Sequence, residues 1–304
     1  MQRKHTTKKL IYLPARYLLM GTALVMLLIT SEVSANASAT DVHEMAALCM
    51  QANRILKDYA LVGMGVDYHD PKKDLEENLK IMDEELKDLK SHKLDEKLTA
   101  EILEIEKTWN ELKPEFEKKP EKTKMSALRK KVEAYTTRCE EVAEDISRDT
   151  GIKGEHDVVL VAELGMESQR LAALYLMKAW GVADSNYEEE IKEVVDQTEK
   201  IYKELLEEDE KLVSKEIKEK LKKVEKQFIA FSVMATSDSG RMMPSAAEKM
   251  ATEIFEELKT ILDMEQTLVE GSVSYFIPIA DEKNAGEIFK AITEIAYVHG
   301  EVKS

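Results

Sequence analysis

The stretch "QRLAALYLMKAWGV", residues 169–182, has a second copy in the same chain, "NRILKDYALVGMGV", residues 53–66. The two copies lie 116 residues apart, and the same spacing continues into the next helical segment, where Leu89 matches Leu205. A single match of this kind would carry little weight. A run of matches in one register indicates an internal duplication.

The register of the duplication continues beyond the next turn with a small change. There the spacing becomes 119 residues, and "EKTW" at 106–109 matches "EKQF" at 225–228. A turn in a helical hairpin tolerates such a change in length. The sequence therefore predicts two repeated units, at about 41–149 and 155–269.

The composition favours helices in both units. Of the 304 residues, 34% are charged and 6% aromatic, with 11 Gly and 6 Pro, a profile typical of long, solvated helices with few turns. The first helix of each unit carries an apolar stripe with 3-4 spacing, which is typical of a helical-bundle core. The stripe consists of Met45, Leu48, Ala52, Ile55, Tyr59, Val62 and Val66 in the first unit, and of Val161, Leu164, Ser168, Leu171, Tyr175 and Val182 in the second.

Turn residues divide each unit into four helices. The expected helices span about 41–65, 72–91, 94–114 and 121–147, then 156–182, 187–208, 211–236 and 244–269. Pro114 and Pro120 are expected to flank the third loop. Because short loops make consecutive helices antiparallel neighbours, the predicted fold is all-α, with two tandem antiparallel four-helix bundles. The sequence leaves open whether the bundles stack end to end or lie side by side.

The N-terminal segment, residues 1–39, has the pattern of an export signal. A basic stretch precedes an apolar run at 17–29, and Ala37-Ser38-Ala39 fits the small-x-small rule for cleavage. The apolar run is shorter than the roughly 20 residues of a membrane span. We therefore expect either a cleaved signal peptide or a retained anchor in the inner membrane, with the rest of the chain in the periplasm. No other segment is apolar enough to span a membrane, so membrane contact is expected only through this segment, if it is not cleaved.

The C-terminal segment, residues 270–304, repeats nothing in either unit. It contains an apolar patch, Tyr275 to Ile279, and a short helix is expected at about 281–298. It is expected either to cover a bundle end or to dock a partner.

The two cysteines, Cys49 and Cys139, are expected at similar heights on adjacent antiparallel helices of the first unit. In an exported protein this placement is compatible with a disulfide. Two buried free thiols are the alternative.

The charge and the residue inventory exclude several classes of function. A net charge of −16, without a basic stripe carrying aromatics, argues against nucleic acid as a partner. The sequence contains no catalytic triad, no reactive Cys–His pair and no phosphate-binding glycine loop, so we expect no enzyme. The six histidines show no metal-ligand spacing, and no cofactor or metal is expected.

Two arginines beside the apolar stripes are the candidate ligand-binding residues. Arg54 and Arg170 occupy matching positions, each one residue before a core position, and Asn53, Gln169 and Ser168 supply neutral donors beside them. A guanidinium group suits oxyanions, and packing the units side by side would allow one site shared by both arginines.

Ion pairing is the alternative role for these arginines. It would neutralise them with nearby acids, Asp58 for Arg54 and Glu167 for Arg170.

The stretch "GMESQRLAALYLMKAWG" (165–181) resembles helix one of the extracytoplasmic sensor domain of type IV pilus methyl-accepting chemotaxis transducers, a domain type also found in nitrate/nitrite sensor kinases. The matching residues are Met166, Ser168, Gln169, Arg170, Tyr175 and Leu176, with Met50, Arg54 and Tyr59 in the first copy. The resemblance implies a four-helix bundle whose helix one meets a partner's helix one in a dimer.

The sequence departs from the family pattern at the arginine that leads the motif and binds the anion in the nitrate/nitrite sensors. Cys49 and Gly165 stand in its place. Family sensors also continue into a membrane helix and an output module, which this sequence does not contain. We therefore expect a periplasmic module that binds a small solute, such as an anion, and relays through a membrane signalling protein or a second copy. The alternative is a structural helical scaffold of the envelope or pilus machinery.

Overall fold

The computed structural model describes residues 37–184, 186–237 and 242–272. Every regular element in these residues is helical, which confirms the all-α prediction. The helices are α1 (Ala39–Met64), α2 (Pro71–Leu89), α3 (Glu96–Phe116), α4 (Met125–Thr150), α5 (Glu155–Trp180), α6 (Tyr187–Glu207), α7 (Lys215–Thr236) and α8 (Pro244–Ser272), with a 3₁₀ turn at Lys122–Lys124.

The helix boundaries follow the sequence repeat. Helices α1 and α5 begin at residues 39 and 155, and α2 and α6 begin at residues 71 and 187, both 116 residues apart. Helices α3 and α7, and α4 and α8, begin 119 residues apart, at 96 and 215 and at 125 and 244. The two copies thus form the same helices at corresponding positions.

The start of α1 lies earlier than the expected unit boundary at residue 41. Ser38 caps the helix, because its side chain accepts from the backbone N–H of Asp41 while Asp41 accepts from the backbone N–H of Ser38. Ala37 is buried, and its N–H donates to Asp149 Oδ2 at 3.3 Å. The folded part therefore includes the last residues of the expected signal segment, and cleavage after Ala39 would remove the cap.

The end of α3 differs from the prediction, because the helix continues through Pro114 to Phe116. Pro114 removes one backbone hydrogen bond, to the carbonyl of Asn110. Asn110 is exposed, so water can satisfy that carbonyl. Continuation of the helix buries Phe116 against Tyr59, with ring centroids 5.4 Å apart. The apolar burial offsets the proline penalty.

Each unit packs as an antiparallel bundle around an aromatic core. In the first unit Trp109 and Tyr135 are fully buried, and the Trp109 indole N–H donates to Asp83 Oδ1 at 2.9 Å across the α2–α3 hairpin. In the second unit Tyr202 and Phe228 occupy the core, with ring centroids 6.3 Å apart.

The two bundles lie side by side, and α1 and α5 form the most extensive contact between helices of different units. These two helices run parallel. Met50 of α1 lies against Gly165 of α5, and Gly63, further along α1, lies against Trp180 at the end of α5. Residues 116 positions apart in sequence are therefore at nearly equal heights. We call this contact the α1–α5 seam.

The side-by-side arrangement buries both central helices on every face. Most of the predicted stripe is in the core, with Met45, Leu48 and Ile55 fully buried, whereas Val62 and Val66 are half-buried. Residues on other faces of α1, such as Ala46 and Leu56, are buried as well, because α4, α5 and α8 also pack on this helix.

Nearly all of the expected signal segment lies outside the described residues, as do residues 273–304 with the Tyr275–Ile279 patch and the expected short helix. Among the described residues, each helix is too polar or too short to cross a bilayer.

The close approach at the end of the seam predicts that Gly63→Ala destabilises the protein. Alanine favours a helix over glycine by about 1 kcal/mol. However, a Cβ at Gly63 would overlap the Trp180 ring and lie 2.8 Å from Pro120 Cβ. We expect a net loss of about 1–3 kcal/mol in the free energy of unfolding, measured by urea denaturation. Gly271→Ala is the matched control, because no atom of the described residues outside its own helix backbone lies within 4 Å of its added Cβ. Equal stability of the two variants would contradict this packing.

Candidate functional site in the seam between α1 and α5

The neutral candidates lie inside the protein. Ser168 and Gln169 on α5 have no exposed surface, and Asn53 on α1 is 3% exposed. Ser168 Oγ donates to the Gly165 carbonyl at 2.7 Å, within its own helix. Gln169 Nε2 donates to the Ala251 carbonyl of α8 at 2.8 Å. Ser168 and Gln169 therefore make hydrogen bonds inside the protein.

Two of these buried amides retain unused hydrogen-bonding capacity. Asn53 Nδ2 and Gln169 Oε1 have no partner among the described residues. The two residues occupy corresponding positions of the repeat, at similar heights along the seam. An unpaired buried polar atom is costly, so both atoms favour an ordered water or a small polar solute beside them.

Arg170 reaches across from α5 to the first bundle. Its Nη2 lies 2.8 Å from Glu133 Oε1 of α4, and its Nη1 lies 3.4 Å from Glu167 Oε1 on its own helix. Burial lowers the pKa of Arg170, but the negative charges of Glu167 and Glu133 outweigh it and raise the pKa overall. The sequence-predicted pair of Arg170 with Glu167 is thus formed, together with a second carboxylate.

Arg54 reaches across from α1 to the second bundle. Its Nη2 lies 3.5 Å from Glu256 Oε1, and its guanidinium carbon lies 4.5 Å from the centroid of the Phe255 ring, both on α8. The ring face attracts the cation, which adds to the ion pair. Arg54 and Arg170 therefore bind carboxylates on different helices, and the structure does not bring the two guanidinium groups into one site.

The expected pair of Arg54 with Asp58 is wrong. Asp58 lies on the face of α1 that meets α2, where it accepts from Asn78 Nδ2 at 2.6 Å. Arg54 points instead toward α8. Spacing along a helix permits an i,i+4 pair, but here Arg54 pairs with Glu256, and Asp58 pairs with Lys57 and Asn78.

A buried lysine, Lys57, is the main residue that the sequence analysis missed. It is 1% exposed, and its Nζ lies 2.8 Å from Glu248 Oε2 of α8 and 3.3 Å from Asp58 Oδ1. Thr252 donates to Glu248 Oε1 at 2.9 Å and accepts from Lys57 Nζ at 3.4 Å. This network ties the two bundles together through charges that are hidden from water.

The two copies differ in sequence at this network. That difference is the signal in the sequence that could have identified Lys57. Lys57 and Asp58 match Ala173 and Leu174 in the second copy, and Asn78 matches Val194. A charge in one copy that replaces an apolar residue in the other indicates either exposure or a specific partner. Only the side-by-side packing supplies that partner.

A second ion network joins the bundles on the α4 side of the seam. Arg129 of α4 is 4% exposed, and its Nη2 lies 3.0 Å from Asp184 Oδ2 in the loop before α6. Ser126 Oγ also donates to Asp184 Oδ2, at 2.8 Å. Glu133 bridges Arg129 and Arg170. Ion pairs therefore join the two units on both sides of the seam.

Several carboxyl groups near the seam hold protons unusually tightly. Burial raises the pKa of Glu167 to about 7, although Arg170 opposes the shift. Burial, followed by the negative charges of Glu163 and Glu167, raises the pKa of Glu140 to about 8. Carboxyl groups at the α4–α5 contact therefore gain or lose protons near neutral pH.

Glu265 of α8 is another buried carboxyl with a raised pKa. It has no exposed surface, and neither of its oxygens has a partner among the described residues. Burial, together with the charge of Asp157, raises the pKa of Glu265 to about 8.

Cys49 and Cys139 are buried free thiols. Cys49 Sγ donates to the Met45 carbonyl at 3.1 Å. Burial and the adjacent Cys139 thiol raise the pKa of Cys49 well above its ordinary value. The helices bring the two residues close together, as expected. In the structure both are free thiols and not a disulfide.

The described residues contain no group of three or more His, Cys, Asp or Glu side chains placed to hold a metal ion. No protein-family model, curated protein or solved structure matches the chain.

The Lys57 network predicts a large loss of stability for Lys57→Met. The variant leaves Glu248 buried without its cation, which costs about 3–5 kcal/mol in the free energy of unfolding. Lys57→Met/Glu248→Gln should recover part of this loss, because both charges are removed. Lys223→Met, which breaks the exposed pair with Glu257, is the control and should cost less than about 1 kcal/mol. Urea denaturation measures all three, and equal losses for Lys57→Met and Lys223→Met would contradict the network.

The raised carboxyl pKa values predict a protein that is more stable at mildly acidic pH. Folding raises the pKa of Glu265 from 4.5 to about 8, so the folded state binds this proton more tightly. The associated stability is complete below pH 4.5 and is lost as the pH rises through about 8. We expect the melting temperature to fall from pH 5.5 to 8.5.

Glu265→Gln tests one of the two carboxyl groups whose pKa is raised to about 8, the other being Glu140. The variant removes the ionisation, so it should flatten the pH dependence and melt above the wild type at pH 8.5. Glu253→Gln, at an exposed position of the same helix, should leave the pH dependence unchanged. A melting temperature that rises toward pH 8.5 in the wild type would show that Glu265 is not buried as described.

Proposed function

We propose that this chain is an exported, periplasmic, non-enzymatic module that binds a small solute and relays its binding through a partner. In this proposal it resembles the sensor domains of type IV pilus chemotaxis transducers and nitrate/nitrite sensor kinases. Residues 1–39 serve as a signal peptide or as an anchor in the inner membrane. The partner is a membrane signalling protein or a second copy of the chain.

The observation that carries the proposal is the parallel pairing of α1 and α5. The sensor family that the sequence resembles pairs helix one with the same helix of a second subunit. Here Met50 lies against Gly165, and Gly63 lies against Trp180, in one chain. The two copies of helix one therefore have the relationship that a dimer interface would have. A solute that shifts one helix against the other would change the relative position of the two bundles.

The polar residues of this seam support solute binding. The unpaired atoms of Asn53 and Gln169 favour a polar guest. An anion at Arg170 would have to compete with Glu133 and Glu167. Because the pKa of Glu167 is about 7, this competition weakens below pH 7 as Glu167 gains a proton. Anion binding should therefore be stronger at pH 6 than at pH 8.

A structural scaffold is the second candidate, and the ion pairs favour it. Both arginines already have carboxylate partners on the opposite bundle, so they hold the bundles together without a ligand. A scaffold of the envelope or pilus machinery would need this cohesion alone.

Thermal unfolding separates the two candidates. The chain from Ser38 onward, which retains the cap of α1, is melted with millimolar nitrate, nitrite, sulfate or small carboxylates, against chloride at matched ionic strength. A ligand of the folded state stabilises it by mass action, so we expect one anion to raise the melting temperature by about 2–4 °C, more at pH 6 than at pH 8.

Two variants assign the effect. Arg170→Ala should abolish the shift, whereas Arg148→Ala, at an exposed ion pair, should keep it. The absence of any shift would favour the scaffold, and a shift that survives Arg170→Ala would show that the anion binds away from Arg170.

A further inference from the structure

A groove in the first bundle lies away from the polar residues of the seam. It has a volume of about 670 Å³ and lies between the first half of α2, the end of α3 and the loop that follows. This volume is in the range of small-molecule sites. Its lining combines apolar residues, among them Leu75, Leu79 and Phe116, with lysines such as Lys72 and Lys80.

The inner part of the groove is apolar. Leu75, Leu79 and Phe116 are core residues that present an apolar surface to it, and the half-buried Val62 and Pro120 complete that surface. Such a surface gains free energy when it covers a hydrocarbon chain, because both surfaces leave water.

The rim of the groove is basic. Five lysines line it against three acidic residues, in a chain whose net charge is −16. Lys72 and Lys80 are largely exposed, and each forms only a loose ion pair, at 3.9 Å with Glu76 and 3.4 Å with Glu84. Such exposed pairs are weak, so an anion at the rim displaces them at little cost.

The second bundle does not repeat this arrangement. At the same spacing of 116 residues, Lys72 and Lys80 match Glu188 and Asp196, so the charge is reversed. Val62 matches Lys178, which places a charge where the groove of the first bundle has an apolar residue. The basic rim and the apolar surface therefore occur together in one copy only.

From this combination we infer that the groove binds a free, single-chain amphiphile with an anionic head group, of the fatty-acid carboxylate class. The hydrocarbon chain lies against Leu75, Leu79 and Phe116, and the head group lies among the lysines of the rim. The inference does not depend on the proposed function, because its test uses none of the seam residues around Arg170.

Isothermal titration calorimetry with octanoate, decanoate and dodecanoate, each below its micelle concentration, tests the site. We expect binding of one molecule per chain, tightening about fourfold per added methylene, which corresponds to about 0.8 kcal/mol. Dodecyltrimethylammonium, which has the same chain and a cationic head, should bind at least about tenfold more weakly than dodecanoate.

Variants that carry the residues of the second copy locate the binding. Lys72→Glu/Lys80→Asp should weaken dodecanoate binding about tenfold, and Val62→Lys should abolish it. Lys192→Glu/Lys222→Glu makes the same change in net charge at exposed sites of the second bundle and should bind as the wild type does. Circular dichroism confirms that each variant retains its helices.

Four results would overturn the inference. They are no binding of dodecanoate, equal binding of the cationic amphiphile, affinity independent of chain length, and dodecanoate binding unchanged by both groove variants. If the first of these results occurs together with binding to anionic lipid vesicles, the groove contacts a membrane surface rather than a free amphiphile.

Discussion

The parallel packing of α1 against α5 is the constraint on which the rest of the structure depends. In an isolated four-helix bundle, helix one buries one face and exposes the other. Here the second bundle covers the outer face of α1, and the first bundle covers that of α5. Gly165, which has no side chain, leaves the space that Met50 fills. Many polar groups on these two helices are then buried, and Lys57 pairs inside the protein with Glu248 of the opposite bundle.

This burial changes the role of the charges near the seam. Arg54 and Arg170 resemble solvated arginines in the sequence, but each extends to the fourth helix of the other bundle and pairs there with a carboxylate. The two arginines therefore join the units, and any anion must compete with these carboxylates for them. Burial also keeps Glu167 near its titration point at neutral pH. Cohesion of the bundles, proton binding and our proposed solute binding thus depend on the same few contacts.

The two copies share a backbone but differ in surface chemistry. Their helices begin at corresponding residues, in agreement with the repeated pattern of apolar positions. The first copy additionally carries the buried Lys57–Asp58 pair and the lysine-rimmed groove. The second has Ala173 and Leu174, then Glu188 and Asp196, at the matching positions. A ligand that contacts these side chains would therefore bind one bundle and not the other.

The sequence by itself determined the all-α class, the repeat register, the eight helices of the described residues to within a few positions, and the core stripe. These follow from helical periodicity and local turn chemistry, which act between neighbours in the chain. Only the tertiary structure decided that the bundles lie side by side, that Arg54 pairs with Glu256 rather than Asp58, and that Lys57 is buried. Periodicity shows which face of a helix is apolar. The partners of Arg54, Lys57 and Gln169 lie about 80 to 200 positions away in sequence and are brought near only when the helices pack together.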